Sequence, residues 1–213
     1  KPLRLAEFQK RFIRDVYDNP AGTRRAYLSI ARKNGKSGLI AGLLLAHLVG
    51  PEARLNSQIV SGAMSRDQAA LVFNLAAKMV QLNPRLSKLV RIVPSSKRLI
   101  GLPLNTEYRA LAADGRTAHG LSPVLAILDE VGQVRGPRSD FIDAITTSQG
   151  AHAEPLLSLT DDMVRTVRRG QITQNNRRGA HLVEVRRLGF GHVGVALKQQ
   201  SDRPFVARRG LGR

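Results

Sequence analysis

An α/β chain, with a mostly parallel sheet flanked by helices and an irregular basic C-terminal tail, is the fold class the sequence predicts, and three observations predict it. Apolar segments of strand character alternate with helical ones through residues 1–160, the order that builds a parallel sheet covered by helices. A polar Gly35-Lys36-Ser37 turn joins the first of these strands to a strongly apolar helix. Farther on, Val124 to Leu128 is apolar at every position and ends on Asp129-Glu130, as befits a strand buried on both faces of such a sheet.

Taken in order, Leu5 to Tyr17 sets Leu5, Phe8, Phe12, Ile13 and Val16 at spacings of three and four, which predicts an amphipathic helix ended by Asn19-Pro20-Ala21-Gly22. Ala26 to Ala31 is the first strand, and the run from Gly38 to Val49 is a helix without a polar face. That run is far shorter than the roughly 20 residues that span a bilayer, so it reads as a buried helix, and no membrane association is expected. Gly50-Pro51 breaks the chain before a strand over Asn56 to Ala63. Ser65-Arg66-Asp67-Gln68 then caps a helix reaching Leu82, with Ala69, Val72, Phe73, Ala76 and Val80 as its apolar stripe and Asn83-Pro84 as its stop.

Val90 to Ala113 consists of short β-prone pieces divided by Pro94, Pro103 and Asn105, which predicts antiparallel strands or a hairpin at the sheet edge. The loop Asp114 to Gly120 leads into the apolar strand, Phe141 to Ile145 is a short helix, and Glu154 to Thr160 is the next strand. Past that point no convincing core is legible. Gly189-Phe-Gly-His-Val-Gly194 matches G-x-G-x-x-G, but no long apolar helix follows and no acid lies about 20 residues on, so it is not read as a dinucleotide site.

Composition narrows the function. With 34 Lys+Arg against 16 Asp+Glu the net charge is +18, a field that favours polyanions such as nucleic acid. Residues 161–213 carry 12 basic and 4 acidic side chains, four of the basic sites being adjacent arginine pairs, so a boundary is expected near position 160. The absence of cysteine excludes disulfides and thiolate metal sites, and the five histidines lie too far apart for a paired-ligand motif; no structural zinc is expected.

The turn at Lys33, Asn34, Gly35, Lys36 and Ser37 suits a polyphosphate. Backbone N–H groups and the positive helix N-terminus face the anion, Lys36 supplies a point charge, and the Ser37 hydroxyl can hold Mg²⁺. The pattern G-x-x-x-x-G-K-[ST] would place glycine at position 30, where this chain has Ile30. At the carboxyl end of the later strand, Asp129 is suited to bind Mg²⁺ and Glu130 to orient or deprotonate a water. Gly-Lys-Ser alone also fits an ordinary strand-to-helix turn, and Asp-Glu alone a surface exit. Together, with strand-helix units between them, they select ATP hydrolysis. Gln9 lies on the first helix between Phe8 and Phe12, either as a surface residue or as an amide able to donate to and accept from an adenine edge at once.

With these motifs placed, the chain from about Leu5 to about Leu157 resembles the ATPase half of the large terminase subunit of tailed bacteriophages. Phe8-Gln9 resembles that family's adenine-contacting motif, Ile30-Ala-Arg-Lys-Asn-Gly-Lys-Ser37 its variant Walker A, and Ile127-Leu-Asp-Glu130 its Walker B, with Ser61 to Ala69 and His119 to Pro123 similar to the segments between. The resemblance implies a P-loop NTPase fold of the ASCE type, an ATP- and Mg²⁺-dependent motor on double-stranded DNA, and work in the bacterial host cytoplasm. It also implies a homo-oligomeric ring, a portal protein and a small terminase subunit as partners.

By the same resemblance Lys36 and Ser37 hold the β/γ-phosphates and Mg²⁺, Asp129 the metal and Glu130 the hydrolytic water. Arg32 matches the family's arginine switch or finger, though a solvent- or DNA-facing role stays open. Thr160 falls where the coupling motif is expected, in a sequence that departs from it. The acids Asp161, Asp162, Glu184 and Asp202 are too few for the family's nuclease domain, so no endonuclease activity is expected, and residues 161–213 read as a poorly ordered, truncated or frame-shifted end. A non-catalytic nucleotide- or DNA-binding remnant is the alternative from another class. A helicase-like ATPase would need a second motor domain, for which there is no room.

Overall fold

The computed structural model describes residues 4–20, 22–30, 33–63, 66–112, 120–129, 139–152, 155–161, 165–168, 171–174 and 192–196. Along the chain run α1 (Glu7–Tyr17), β1 (Arg25–Ser29), α2 (Lys36–Val49), β2 (Gln58–Ala63), α3 (Arg66–Gln81), α4 (Pro84–Leu89), β3 (Val90–Val93), β4 (Arg98–Gly101) and β5 (Thr106–Ala112). They are followed by β6 (Pro123–Leu128), α5 (Asp140–Ser148), β7 (Leu156–Asp161), β8 (Arg165–Arg168), β9 (Gln171–Gln174) and β10 (His192–Ala196).

Eight of the strands form one sheet in the order β10-β1-β7-β6-β2-β5-β4-β3. All neighbours from β10 to β5 pair in parallel, whereas β4 and β3 continue the sheet antiparallel. The stretch expected to be an antiparallel edge is therefore divided. β3 and β4 are that edge, but β5 lies parallel to β2 and belongs to the body of the sheet. β7 is inserted between β1 and β6, with Leu28 opposite Thr160 and Leu128 opposite Leu159. The strand leading to the Gly-Lys-Ser turn and the strand leading to Asp129 thus share a neighbour instead of pairing.

The first core packs on one face of the sheet. α2 is apolar all round because it is enclosed: Leu39, Ile40, Ala41, Leu44 and Leu48 lie against strand residues Leu28, Ile59, Leu125 and Ile127, with α3 contributing Val72, Phe73, Ala76 and Val80. Each fully buried leucine or isoleucine contributes about 1.5–3 kcal/mol of transfer free energy, so α2 is held chiefly by burial and not by helix propensity. The other face carries a smaller cluster of Val60, Ala126, Leu128, Leu157 and Leu159 under Phe141 and Ile145 of α5. Here Gly62 permits the approach, because a Cβ at that position would lie 2.5 Å from the Phe141 ring.

Asn83-Pro84, read as a stop, also starts a helix. The Asn83 side chain accepts from the N–H groups of Arg85 (2.9 Å) and Leu86 (3.3 Å), and Pro84 takes the first helical position of α4, where no N–H is needed. Within 161–213, β8 and β9 pair antiparallel as a separate two-stranded sheet, and β10 extends the main sheet beside β1. Gly194, the third glycine of the G-x-G-x-x-G match, is thereby a strand residue opposite Tyr27.

Candidate nucleotide-binding site

Three adjacent strands, β1, β7 and β6, run in parallel and deliver the loop after Ser29, Thr160 and Asp129 to one edge of the sheet. Ligands of open parallel sheets bind beyond this carboxyl edge. Asp129 is held in place through its backbone, whose N–H donates to the Gly62 carbonyl at 3.0 Å.

Lys36, in the first turn of α2, reaches across to that carboxylate, its Nζ standing 2.7 Å from Asp129 Oδ1. The two residues are 93 positions apart in sequence. The same Oδ1 accepts from the Thr160 hydroxyl at 2.7 Å, and Thr160 is buried. Lys36 and Asp129 are 7% and 13% exposed, so this pair is shielded from solvent and its Coulomb attraction is opposed by a substantial desolvation cost. An arriving anion that offers Lys36 a second negative partner thus competes with a carboxylate already in contact.

The turn itself is held in an uncommon conformation. Lys33 has φ +67 and Gly35 φ +76, both left-handed, a region that costs a lysine roughly 1 kcal/mol or more and that clusters at ligand clamps. Consecutive backbone amides in such a turn make an anion-binding concavity, and α2 adds its positive N-terminus. No side chain caps that N-terminus, the cap position being Gly35.

Gln9 is 6% exposed and reaches the loop from α1. Its Oε1 accepts the Ala6 N–H at 2.9 Å, and its Nε2 donates to the carbonyls of Asn34 at 3.3 Å and Gly35 at 3.4 Å. Of the candidate residues, Gln9, Lys33, Asn34, Gly35, Lys36, Ser37, Asp129 and Thr160 are described, whereas Arg32 and Glu130 lie outside the described residues. The direct contacts join Gln9 to Asn34 and Gly35, Lys36 to Asp129, and Asp129 to Thr160. For Mg²⁺ the fit is chemical: Ser37 and Asp129 offer the hard oxygen donors that this ion takes alongside nucleotide phosphates. No cluster of three or more His, Cys, Asp or Glu that could hold a metal by itself is found among the described residues.

Sequence reasoning missed a cleft at the far end of β1 and α2. Its volume is about 490 Å³, and it is lined among others by Tyr17, Arg24, His47, Glu52 and Arg54. In its lining the Tyr17 hydroxyl and His47 Nε2 are 2.8 Å apart, a contact for which periodicity carries no signal.

A parallel sheet with a glycine-lysine-serine turn feeding a buried helix, and an acid-terminated strand two places away, defines a P-loop nucleoside-triphosphatase fold. Residues 7–178 match the family model for the ATPase domain of the terminase large subunit, and the chain belongs to that family. It is 73% identical over 157 residues to the terminase large subunit of Enterobacteria phage HK97, a match covering 74% of this chain and 31% of that protein. The crystal structure of the HK97 large terminase is similar with a TM-score of 0.73 at 71% identity, over 76% of this chain and 34% of that one. The chain thus spans about a third of the length of these relatives. The large terminase ATPase domain of Thermus phage P74-26, 21% identical, shares the fold with a TM-score of 0.57 over 74% of this chain and 64% of that one. The large terminase of a thermophilic bacteriophage, solved in complex with ADP, shares it at 9% identity with a TM-score of 0.55, over 74% of this chain and 39% of that one. Among the described residues no helix is long and apolar enough to cross a membrane.

Proposed function

We propose that this chain is the ATP-hydrolysing part of a phage DNA-packaging motor, coupling ATP hydrolysis to translocation of double-stranded DNA into a procapsid. The observation that carries the reading is the 2.7 Å contact between Lys36 and Asp129 at the carboxyl edge of the sheet. In this mechanism the amides of the Lys33–Ser37 turn hold the phosphates, and Lys36 moves its charge from Asp129 to the β- and γ-phosphate oxygens. Ser37 and Asp129 would hold Mg²⁺ together with the nucleotide, and the ion would neutralise charge on the phosphates. Glu130 orients and deprotonates the attacking water, and Arg32 stabilises charge on the transferring group. Thr160, whose hydroxyl touches the Asp129 carboxylate, carries the change at the site into β7 and is the coupling residue.

The family supports the wider assembly: double-stranded DNA, a homo-oligomeric ring, a portal protein and a small terminase subunit, in the host cytoplasm. Phosphate release measured with and without DNA, on the wild-type chain and on Glu130→Gln, tests it. DNA should stimulate release, and Glu130→Gln should bind ATP but not hydrolyse it. Loss of ATP binding in Glu130→Gln would overturn the role given to Glu130. Absence of release under every condition would leave a non-catalytic remnant and refute the motor.

A further inference from the structure

The geometry points to a second task for Gln9: we propose that its side-chain amide positions the phosphate loop, setting which way the loop's peptide groups face. The inference rests on the nucleotide site proposed above and deepens it. Gln9 lies on the inner side of α1 with Phe12 and Val16, so its amide is directed inward. The two ends of that amide are both assigned by their partners. Oε1 takes the Ala6 N–H, and the Nε2 group is shared between the Asn34 and Gly35 carbonyls. A flipped amide would set oxygen against two carbonyl oxygens and NH₂ against an N–H, so only this orientation is satisfied.

Peptide planarity turns this contact into a constraint on the site. In a trans peptide the C=O and the following N–H point in opposite directions. Drawing the Asn34 and Gly35 carbonyls toward α1 therefore turns the Gly35 and Lys36 N–H groups away from it, two consecutive donors beside the Lys36 ammonium. The Gly35 carbonyl also accepts the Leu39 N–H at 3.0 Å, so the same contact fixes the first turn of α2. The fit is close: a Cβ on Gly35 would stand 3.1 Å from Gln9 Nε2.

Isothermal titration of Mg²⁺-ATP, Mg²⁺-GTP and Mg²⁺-tripolyphosphate into wild type, Gln9→Glu and Gln9→Ala, at pH 8 and pH 6, tests the proposal. Tripolyphosphate has no base to read. At pH 8 Gln9→Glu should weaken all three ligands, the base-free tripolyphosphate included, by about tenfold relative to wild type. A carboxylate facing two carbonyl oxygens has a raised pKa, and once protonated it donates an O–H to one of them, so at pH 6 Gln9→Glu should recover most of the loss. Gln9→Ala should weaken all three at both pH values. A loss confined to ATP makes Gln9 a base reader and overturns the proposal, as does a Gln9→Glu variant that is unimpaired or equally impaired at both pH values. If wild type binds neither ATP nor tripolyphosphate, the nucleotide site itself fails and this inference falls with it. The recovery of Gln9→Glu at low pH decides the matter even if Gln9→Ala does not fold.

Discussion

The two ends of α2 hold buried titratable groups in opposite ways. At its N-terminus Lys36 is 7% exposed and paired with the Asp129 carboxylate at 2.7 Å. At its C-terminus His47 is also 7% exposed, but its partner is the neutral Tyr17 hydroxyl. Burial, and secondarily the charge of Arg54, pushes the His47 pKa down from 6.5 to about 4. Burial first, and then the Glu52 carboxylate, raises the Tyr17 phenol above its ordinary value, so it stays protonated and neutral beside Nε2.

The macrodipole would favour the reverse, a cation at the C-terminus and none at the N-terminus, by about 0.3–1 kcal/mol. A unit charge pair about 4 Å apart is worth about 4 kcal/mol at an effective dielectric of 20, so a carboxylate in contact outweighs the dipole even after part is lost to desolvation. Where no carboxylate touches, desolvation decides and the histidine is neutral. Backbone satisfaction is equally unequal. At the C-terminus the Leu48 carbonyl accepts from the buried Thr106 hydroxyl and the Ala46 carbonyl from the Gly50 N–H, whereas no side chain caps the N-terminus. One end is closed by Thr106 and the Gly50 N–H, whereas the other has no side-chain cap.

The largest expected effect comes from removing the charge at the N-terminal end. Lys36→Ala should weaken ATP binding by about 100-fold or more, the worth of a charge-assisted contact to phosphate, as read by titration at neutral pH. Binding within a few-fold of wild type would mean that α2 does not face the nucleotide. The C-terminal end should respond to pH instead. Between pH 6.5 and about 4 the unfolded chain binds a proton at position 47 that the native protein refuses, so stability falls as pH drops through that interval. The total is about 3 kcal/mol. Urea denaturation of His47→Gln should show a decline from pH 7 to pH 4 that is smaller than the wild-type decline by about that amount, with ATP affinity at pH 7.5 unchanged. Parallel pH profiles would place a protonated histidine in the native state and erase the contrast between the ends.

How much of this was legible depended on how local each signal is. Gly35-Lys36-Ser37 and Leu128-Asp129 are short strings whose flanking apolar runs fix strand and helix, and from them the edge where Lys36 meets Asp129 follows once the sheet is taken as parallel. Asn83-Pro84 does end α3, but α4 was missed because the same two residues that stop one helix begin the next. The pairing of β5 with β2, the arrival of β10 beside β1, and the Tyr17–His47 contact all join segments distant in sequence, and no periodicity encodes such partners. Gln9 was half legible. Its place between Phe8 and Phe12 leaves it either a surface residue or an amide for an adenine edge; its burial and the carbonyls it serves depend on a loop that the helical pattern does not reach.

The smallest expected effect isolates the backbone part of the contrast. Thr106 is fully buried, and its hydroxyl donates to the Leu48 carbonyl at 2.5 Å, closing the last turn of α2 from β5. Thr106→Val keeps the shape and removes the donor, leaving a buried carbonyl without that bond at a cost of about 2 kcal/mol. Urea denaturation should show that loss, while the affinity for ATP stays within about twofold, because the N-terminal turn is set by Gln9, Gly35 and Asp129 and not by the far cap. If Thr106→Val instead weakened ATP binding while leaving stability intact, the two ends of α2 would be coupled through the helix, and the division of labour drawn between them would be wrong.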